Sequence, residues 1–115
     1  MLIRSQDKTI IVNIDNAFSI AIRDINGAAS IYVGSQGGCC IIAEYSTKAK
    51  AMKVLDMIQE AYGEYKITRT FLTGFTGHRA IVESNDIHVN GFKELVKSFK
   101  KNMVFQMPAD SEVEV

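Results

Sequence analysis

Few side chains in this 115-residue chain have the chemistry for catalysis: two histidines, His78 and His88, two adjacent cysteines, Cys39 and Cys40, and thirteen scattered carboxylates. A zinc site needs ligands at short paired spacings, and two histidines ten residues apart with no CxxC pair do not supply them. A Cys–His nucleophile needs an exposed thiol beside a histidine in an activating environment. Here both cysteines open the apolar run Cys39-Cys40-Ile41-Ile42-Ala43, which reads as a core strand covered on both faces. Neighbours in a strand point to opposite sides, so a bridge between them would be strained, and both are expected to be reduced thiols. Asp7, Asp15, Asp24, Glu44 and Glu83 could in principle pair for acid–base work, but nothing in their spacing singles any of them out. The chain has no phosphate-binding GxxxxGK, no GxGxxG and no HExxH. The expectation is a protein that is not an enzyme and needs neither metal nor cofactor.

A different chemistry is better supplied. Holding a small anionic nucleotide takes a flat aromatic surface for the base, an amide for polar edges, and cations for phosphate. Between residues 65 and 102 the chain offers Phe71, Phe75, Arg69, Arg79, Asn85, Asn90, Lys100, Lys101 and Asn102. Each also has a plainer reading: Phe71 as core, the lysines as a solvated helix face, the arginines as surface charges. Phe75, between Gly74 and the nearby Gly77, stands out, because an aromatic ring flanked by glycines is more often exposed than buried.

These residues must be positioned by an α+β fold of one domain, the usual size for a chain of this length. Residues 1–45 read as an antiparallel sheet of about five strands, Leu2–Ser5, Thr9–Ile14, Ser19–Asp24, Ser30–Gly34 and Cys39–Tyr45, with turns at Gln6-Asp7-Lys8, Asp15-Asn16, Asn26-Gly27 and Gln36-Gly37-Gly38. The clearest helix, within 46–63, runs from about Thr47 to Tyr62, with Ala51, Val54, Leu55, Ile58, Ala61 and Tyr62 on one side and Gly63 as its stop. Residues 64–90 read as a hairpin or excursion, with strand-like Tyr65–Leu72 and His78–Glu83 around a glycine-hinged tip. A second short helix spans 91–101, with Phe92, Leu95, Val96 and Phe99 as its stripe and Asn90 as its cap. Residues 102–115 form a closing strand or pinned segment and a mobile acidic tail.

Thirteen basic and thirteen acidic residues cancel, so no global field favours DNA or a membrane surface. The balance is local: residues 65–101 carry a net +4 and residues 102–115 a net −3, which directs any anionic ligand to the later part of the chain. No apolar run approaches the roughly 18 to 20 residues of a membrane span, and the amino terminus turns polar too soon for a signal peptide. A soluble cytoplasmic protein is expected.

At Met1–Thr9, Val12–Asn16, Glu44–Lys48, Lys53–Gln59 and Phe105–Pro108 the chain resembles short proteins of phages and prophages, most of all the first-described family of Thoeris anti-defence proteins. These are sponges that sequester a signal. The resemblance implies an antiparallel sheet with helices, assembled as a dimer or a dimer-based hexamer in the cytoplasm of an infected bacterium. It also implies non-enzymatic capture of the cyclic ADP-ribose isomer made by bacterial TIR proteins, in pockets between protomers. Some members take up cyclic oligonucleotides at a separate site. The family pocket uses an aromatic residue and an asparagine shortly after it, matched here by Phe75 and Asn85, with an arginine that corresponds to Arg69 or Arg79. Two other readings compete: an interaction protein that covers a host defence enzyme, and an enzyme acting on a nucleotide signal.

Overall fold

A computed structural model describes residues 1–76, 93–94, 96–97 and 99–114. The amino-terminal strands form where turn chemistry and β-branched runs place them: β1 (Leu2–Arg4), β2 (Ile11–Asn13), β3 (Ser19–Ile25), β4 (Ala28–Ser35) and β5 (Gly38–Tyr45). They do not make the single five-stranded sheet expected. β3, β4 and β5 form one antiparallel meander, whereas β1 pairs antiparallel with β2 and parallel with β6 (Val104–Gln106), giving two sheets of three strands. The break lies at a 3-10 turn, Ile14–Asn16, where the Asn13 carboxamide oxygen accepts from the Asp15 amide at 3.0 Å and redirects the chain before β3. β6 then covers the second edge of β1, about a hundred residues away in sequence.

Within the meander, Asn26 and Gly27 both take positive φ, 52° and 86°, which is the primed turn that suits the twist of two-residue hairpins. A glutamine side chain joins the two sheets. The Gln6 side chain donates to the Glu44 and Pro108 carbonyls at 3.1 and 3.2 Å and accepts from the Glu44 amide at 3.0 Å, so it stands in for a strand along β5. Gln106 donates to the Ser5 and Met107 carbonyls, both at 3.0 Å. Tyr45, almost fully buried, donates to the Pro108 carbonyl at 2.8 Å, and burial, with Asp110 and Glu112 nearby, pushes its phenol above the ordinary tyrosine range.

Three expectations are corrected here. The run Cys39–Ala43 is not covered on both faces: Cys39 is exposed, Cys40 half-buried and Ile41 45% exposed, while Ile42 and Ala43 enter the core. Both thiols are free. The acidic tail is held rather than loose: Val113 is buried, the Asp110 carboxylate accepts from the Ser46 amide at 2.7 Å and from Lys50 at 3.3 Å, and Lys53 donates to the Glu114 carbonyl.

The third correction concerns the main helix. It begins as expected, with the Thr47 hydroxyl accepting from the Lys50 amide at 3.2 Å, but α1 runs through Gly63 from Lys48 to Thr76. Residues Tyr65–Leu72 are helix, not strand. Their β-branched composition imitates a strand, yet the buried stripe Ala51, Val54, Ile58, Tyr65 and Thr68 keeps helical spacing across the glycine. The Thr68 and Thr70 hydroxyls donate to carbonyls four residues back, both at 2.9 Å, so each is satisfied inside the helix. A mid-helix glycine costs about 1 kcal/mol relative to alanine, less than burying Tyr65 and stacking it on Phe99 recovers. The described residues between 93 and 102 are helical, with Val96 and Phe99 half-buried. The other half of the expected excursion, His78–Glu83, lies outside the described residues, as do Asn90, Phe92 and Leu95.

Candidate functional site

A cleft of about 410 Å3 opens between the start of β3 and α1. One wall is Ile14, Ala17, Phe18, Ser19 and Ile20; the other is Leu55, Ile58, Gln59 and Tyr62. The second wall follows from helix geometry, because positions i, i+3, i+4 and i+7 share a face. The first follows from backbone hydrogen bonds. Ala17 donates to the Ile14 carbonyl at 3.1 Å and closes the 3-10 turn, and Phe18 donates to the Gly34 carbonyl at 2.8 Å and enters the sheet. Phe18 is thereby held by its main chain while its ring stays 75% exposed.

Tyr62 is fixed by charge. Its hydroxyl donates to Asp15 Oδ1 at 2.8 Å, and Asp15 Oδ2 accepts from the Met1 ammonium at 3.1 Å. The Tyr62 hydrogen bond, and after it the Met1 ammonium and Lys66, hold the Asp15 carboxyl below the ordinary carboxylate range against partial burial. Lys66, one turn along α1, sits with Nζ 5.4 Å from the Tyr62 ring centroid, within cation–π range. The cleft is therefore lined by uncharged side chains, with two cations and one carboxylate gathered at its Tyr62 end. Gln59 makes no hydrogen bond to another described residue, so its amide is available. This set of groups is suited to binding a flat molecule with polar edges.

The described residues among those expected to form a site do not line this cleft. Phe75 falls in the last turn of α1 rather than at a hairpin tip. Arg69 is exposed on α1, on the side of Tyr65, and the Tyr65–Phe99 stack, 5.5 Å between centroids, brings α1 against the helix carrying Lys100, Lys101 and Asn102. Lys100 and Lys101 are exposed and Asn102 is half-buried. Phe71, expected in the core, is 58% exposed, and it projects with Ile67 from the side of α1 opposite Arg69. Arg79, Asn85, His78 and His88 lie outside the described residues. Among the described residues no cluster of three or more His, Cys, Asp or Glu could hold a metal, and no helix is long and apolar enough to cross a membrane.

Sequence reasoning passed over Phe18, Gln59 and Tyr62 as a set. By spacing Tyr62 belongs to the apolar stripe, and Gln59 falls outside it. The available signal was local: Gln59 lies between Leu55 and Tyr62 on the stripe's flank, and Phe18 is a large apolar residue directly after a turn. No protein family, curated protein or solved structure matches the chain.

Proposed function

We propose that this protein binds a small nucleotide-type signal and holds it unaltered, in the manner of the Thoeris anti-defence sponges that its sequence resembles. The observation that carries the reading is the lining of the cleft: two aromatic rings, an available amide and a cationic rim around a volume within the roughly 300–1,000 Å3 usual for small-molecule sites. The resemblance adds support, since the blocks Val12–Asn16 and Lys53–Gln59 contain Ile14, Asp15, Leu55, Ile58 and Gln59, which line or brace that cleft. On this reading the ligand is a cyclic ADP-ribose isomer or a cyclic oligonucleotide, the working form is a homo-oligomer, and the compartment is the cytoplasm of an infected bacterium.

The test is capture and release. Protein incubated with cyclic ADP-ribose isomers and cyclic oligonucleotides is filtered free of unbound ligand and heat-denatured, and the freed material is chromatographed. Ligand returned chemically unchanged and in stoichiometric amount is the expected result; nothing released, or a product of altered mass, overturns it. Phe75→Ala and Asn85→Ala belong in the same assay beside Phe18→Ala. Loss of capture in the first two alone moves the site to residues 65–102.

One observation favours a second reading, in which the protein covers a surface of a host defence enzyme: Met52, Met57, Ile67 and Phe71 are large apolar residues exposed along α1. Polar replacement of Ile67 and Phe71 would then abolish inhibition of the defence system while leaving capture of small ligands intact.

A further inference from the structure

The cleft and its rim divide the chemistry of a nucleotide between them. Its described lining carries no charged side chain. A phosphate placed inside would lose its hydration without gaining an ionic partner. A planar base has no such difficulty. It can lie against the rings of Phe18 and Tyr62, where stacking adds to burial. Gln59, unengaged by other described residues, has both a carbonyl acceptor and an NH2 donor. That pair matches the N6 donor and N7 acceptor of adenine, whereas guanine offers two acceptors, N7 and O6, along the same edge. Just outside, Lys66 stands over the Tyr62 ring, and Asp15 already accepts from the Met1 ammonium and the Tyr62 hydroxyl, so among the described residues Lys66 is a rim cation without a hydrogen-bonded partner that can face an anion.

From this arrangement, and resting on the capture reading above, we propose that the cleft takes the adenine base of a nucleotide between Phe18 and Tyr62, that Gln59 reads its edge, and that Lys66 meets the phosphate at the rim. The specificity follows from the geometry. The base decides whether a ligand enters, and the phosphate only strengthens what the base has begun. One charge-assisted contact at an open rim contributes about 1.4 kcal/mol, which is about tenfold in affinity.

Titration calorimetry with AMP, GMP, adenosine and ribose 5-phosphate tests the assignment on the full chain. The wild-type protein is expected to bind AMP, to bind adenosine and GMP about tenfold more weakly, and to show no measurable heat with ribose 5-phosphate. Lys66→Gln should lower AMP affinity to that of adenosine and leave adenosine unchanged. Gln59→Met, which keeps the side-chain volume, should bring AMP and GMP together. Phe18→Ala should weaken AMP and adenosine alike, and because Phe18 is mostly exposed this variant is expected to fold. Ribose 5-phosphate binding as well as AMP, or Lys66→Gln leaving AMP untouched, overturns the assignment. If a cyclic ADP-ribose isomer is captured equally by wild-type and Phe18→Ala protein, the base pocket is wrong and the capture function stands. If no nucleotide is retained by the wild-type protein, both fall.

Discussion

The two halves of α1 have similar residues and different neighbours. From Lys48 to Tyr62 the helix lies on the β3-β4-β5 meander, burying Ala51, Val54 and Ile58 against it and presenting Leu55, Gln59 and Tyr62 to the cleft. From Gly63 to Thr76 its buried described side chains are Tyr65 and Thr68, its cover includes Phe99 of the second helix, and Ile67 and Phe71 stand exposed at 60% and 58%. Both halves are helical because the apolar period is continuous. What differs is what each apolar face is packed on, from which a helix draws most of its stability. The half on the sheet presents its flank to the cleft, and the described part of the outer half buries only Tyr65 and Thr68.

The largest effect expected is in the inner half. Ile58→Ala removes a side chain that is 4% exposed and shared between core and cleft, and should cost about 3 kcal/mol in urea unfolding. A cost below about 1 kcal/mol would mean that the helix is not anchored to the sheet there. The junction gives the next effect, with opposite sign. A Cβ at Gly63 would meet nothing within 4 Å, so Gly63→Ala should stabilise the protein by about 0.5–1 kcal/mol. Destabilisation would show that the bare backbone at Gly63 is needed by another chain or segment.

The charge network bracing Tyr62 follows. Tyr62→Phe should cost about 1 kcal/mol and let the Asp15 carboxyl rise toward its ordinary value of 3.8, which a carboxyl NMR titration reads directly. The sign for acid stability is the usual one for carboxylates. Asp15 and Asp7 both have depressed folded-state values, Asp7 at about 2 through hydrogen bonds from Ser5 and Thr9. Each contribution is complete above 3.8 and is lost as pH falls through the depressed folded-state value, which for Asp7 is about 2. Asp7→Asn should therefore flatten the loss of stability in that window. An unchanged acid profile would remove Asp7 from the account.

What the sequence made legible follows the range of the interactions. The β3–β4 hairpin could be read from Asn26-Gly27 because one dipeptide carries the turn chemistry. The start of α1 could be read from Thr47 and the apolar stripe after it. The parallel pairing of β1 with β6 had no local signal, since Ile3 and Phe105 meet only once the chain has folded. Gln6 and Gln106 are ordinary polar residues by type, and their roles depend on distant carbonyls, those of Glu44 and Pro108 for Gln6 and that of Ser5 for Gln106. The outer half of α1 was misread for a physical reason: Ile67, Thr68 and Thr70 favour strands by composition, Gly63 looks like a stop, and the Tyr65–Phe99 contact that overrides both is tertiary. The cleft was missed because Phe18 and Tyr62 belong to elements more than forty residues apart, and each has an ordinary explanation alone.

The smallest expected effect tests the exposed face of the outer half. Ile67→Gln with Phe71→Gln should change the unfolding free energy by less than about 0.5 kcal/mol, since both side chains already stand largely in water. Glutamine is also a better helix former than isoleucine or phenylalanine, by a few tenths of a kcal/mol, so a slight gain is the direction to expect. A loss of 1 kcal/mol or more, larger at high protein concentration than at low, would mean that this face is covered in solution by a second copy. The two halves of α1 would then be equally buried, one by the chain's own sheet and the other by its neighbour, and the contrast between them would belong to the isolated chain alone.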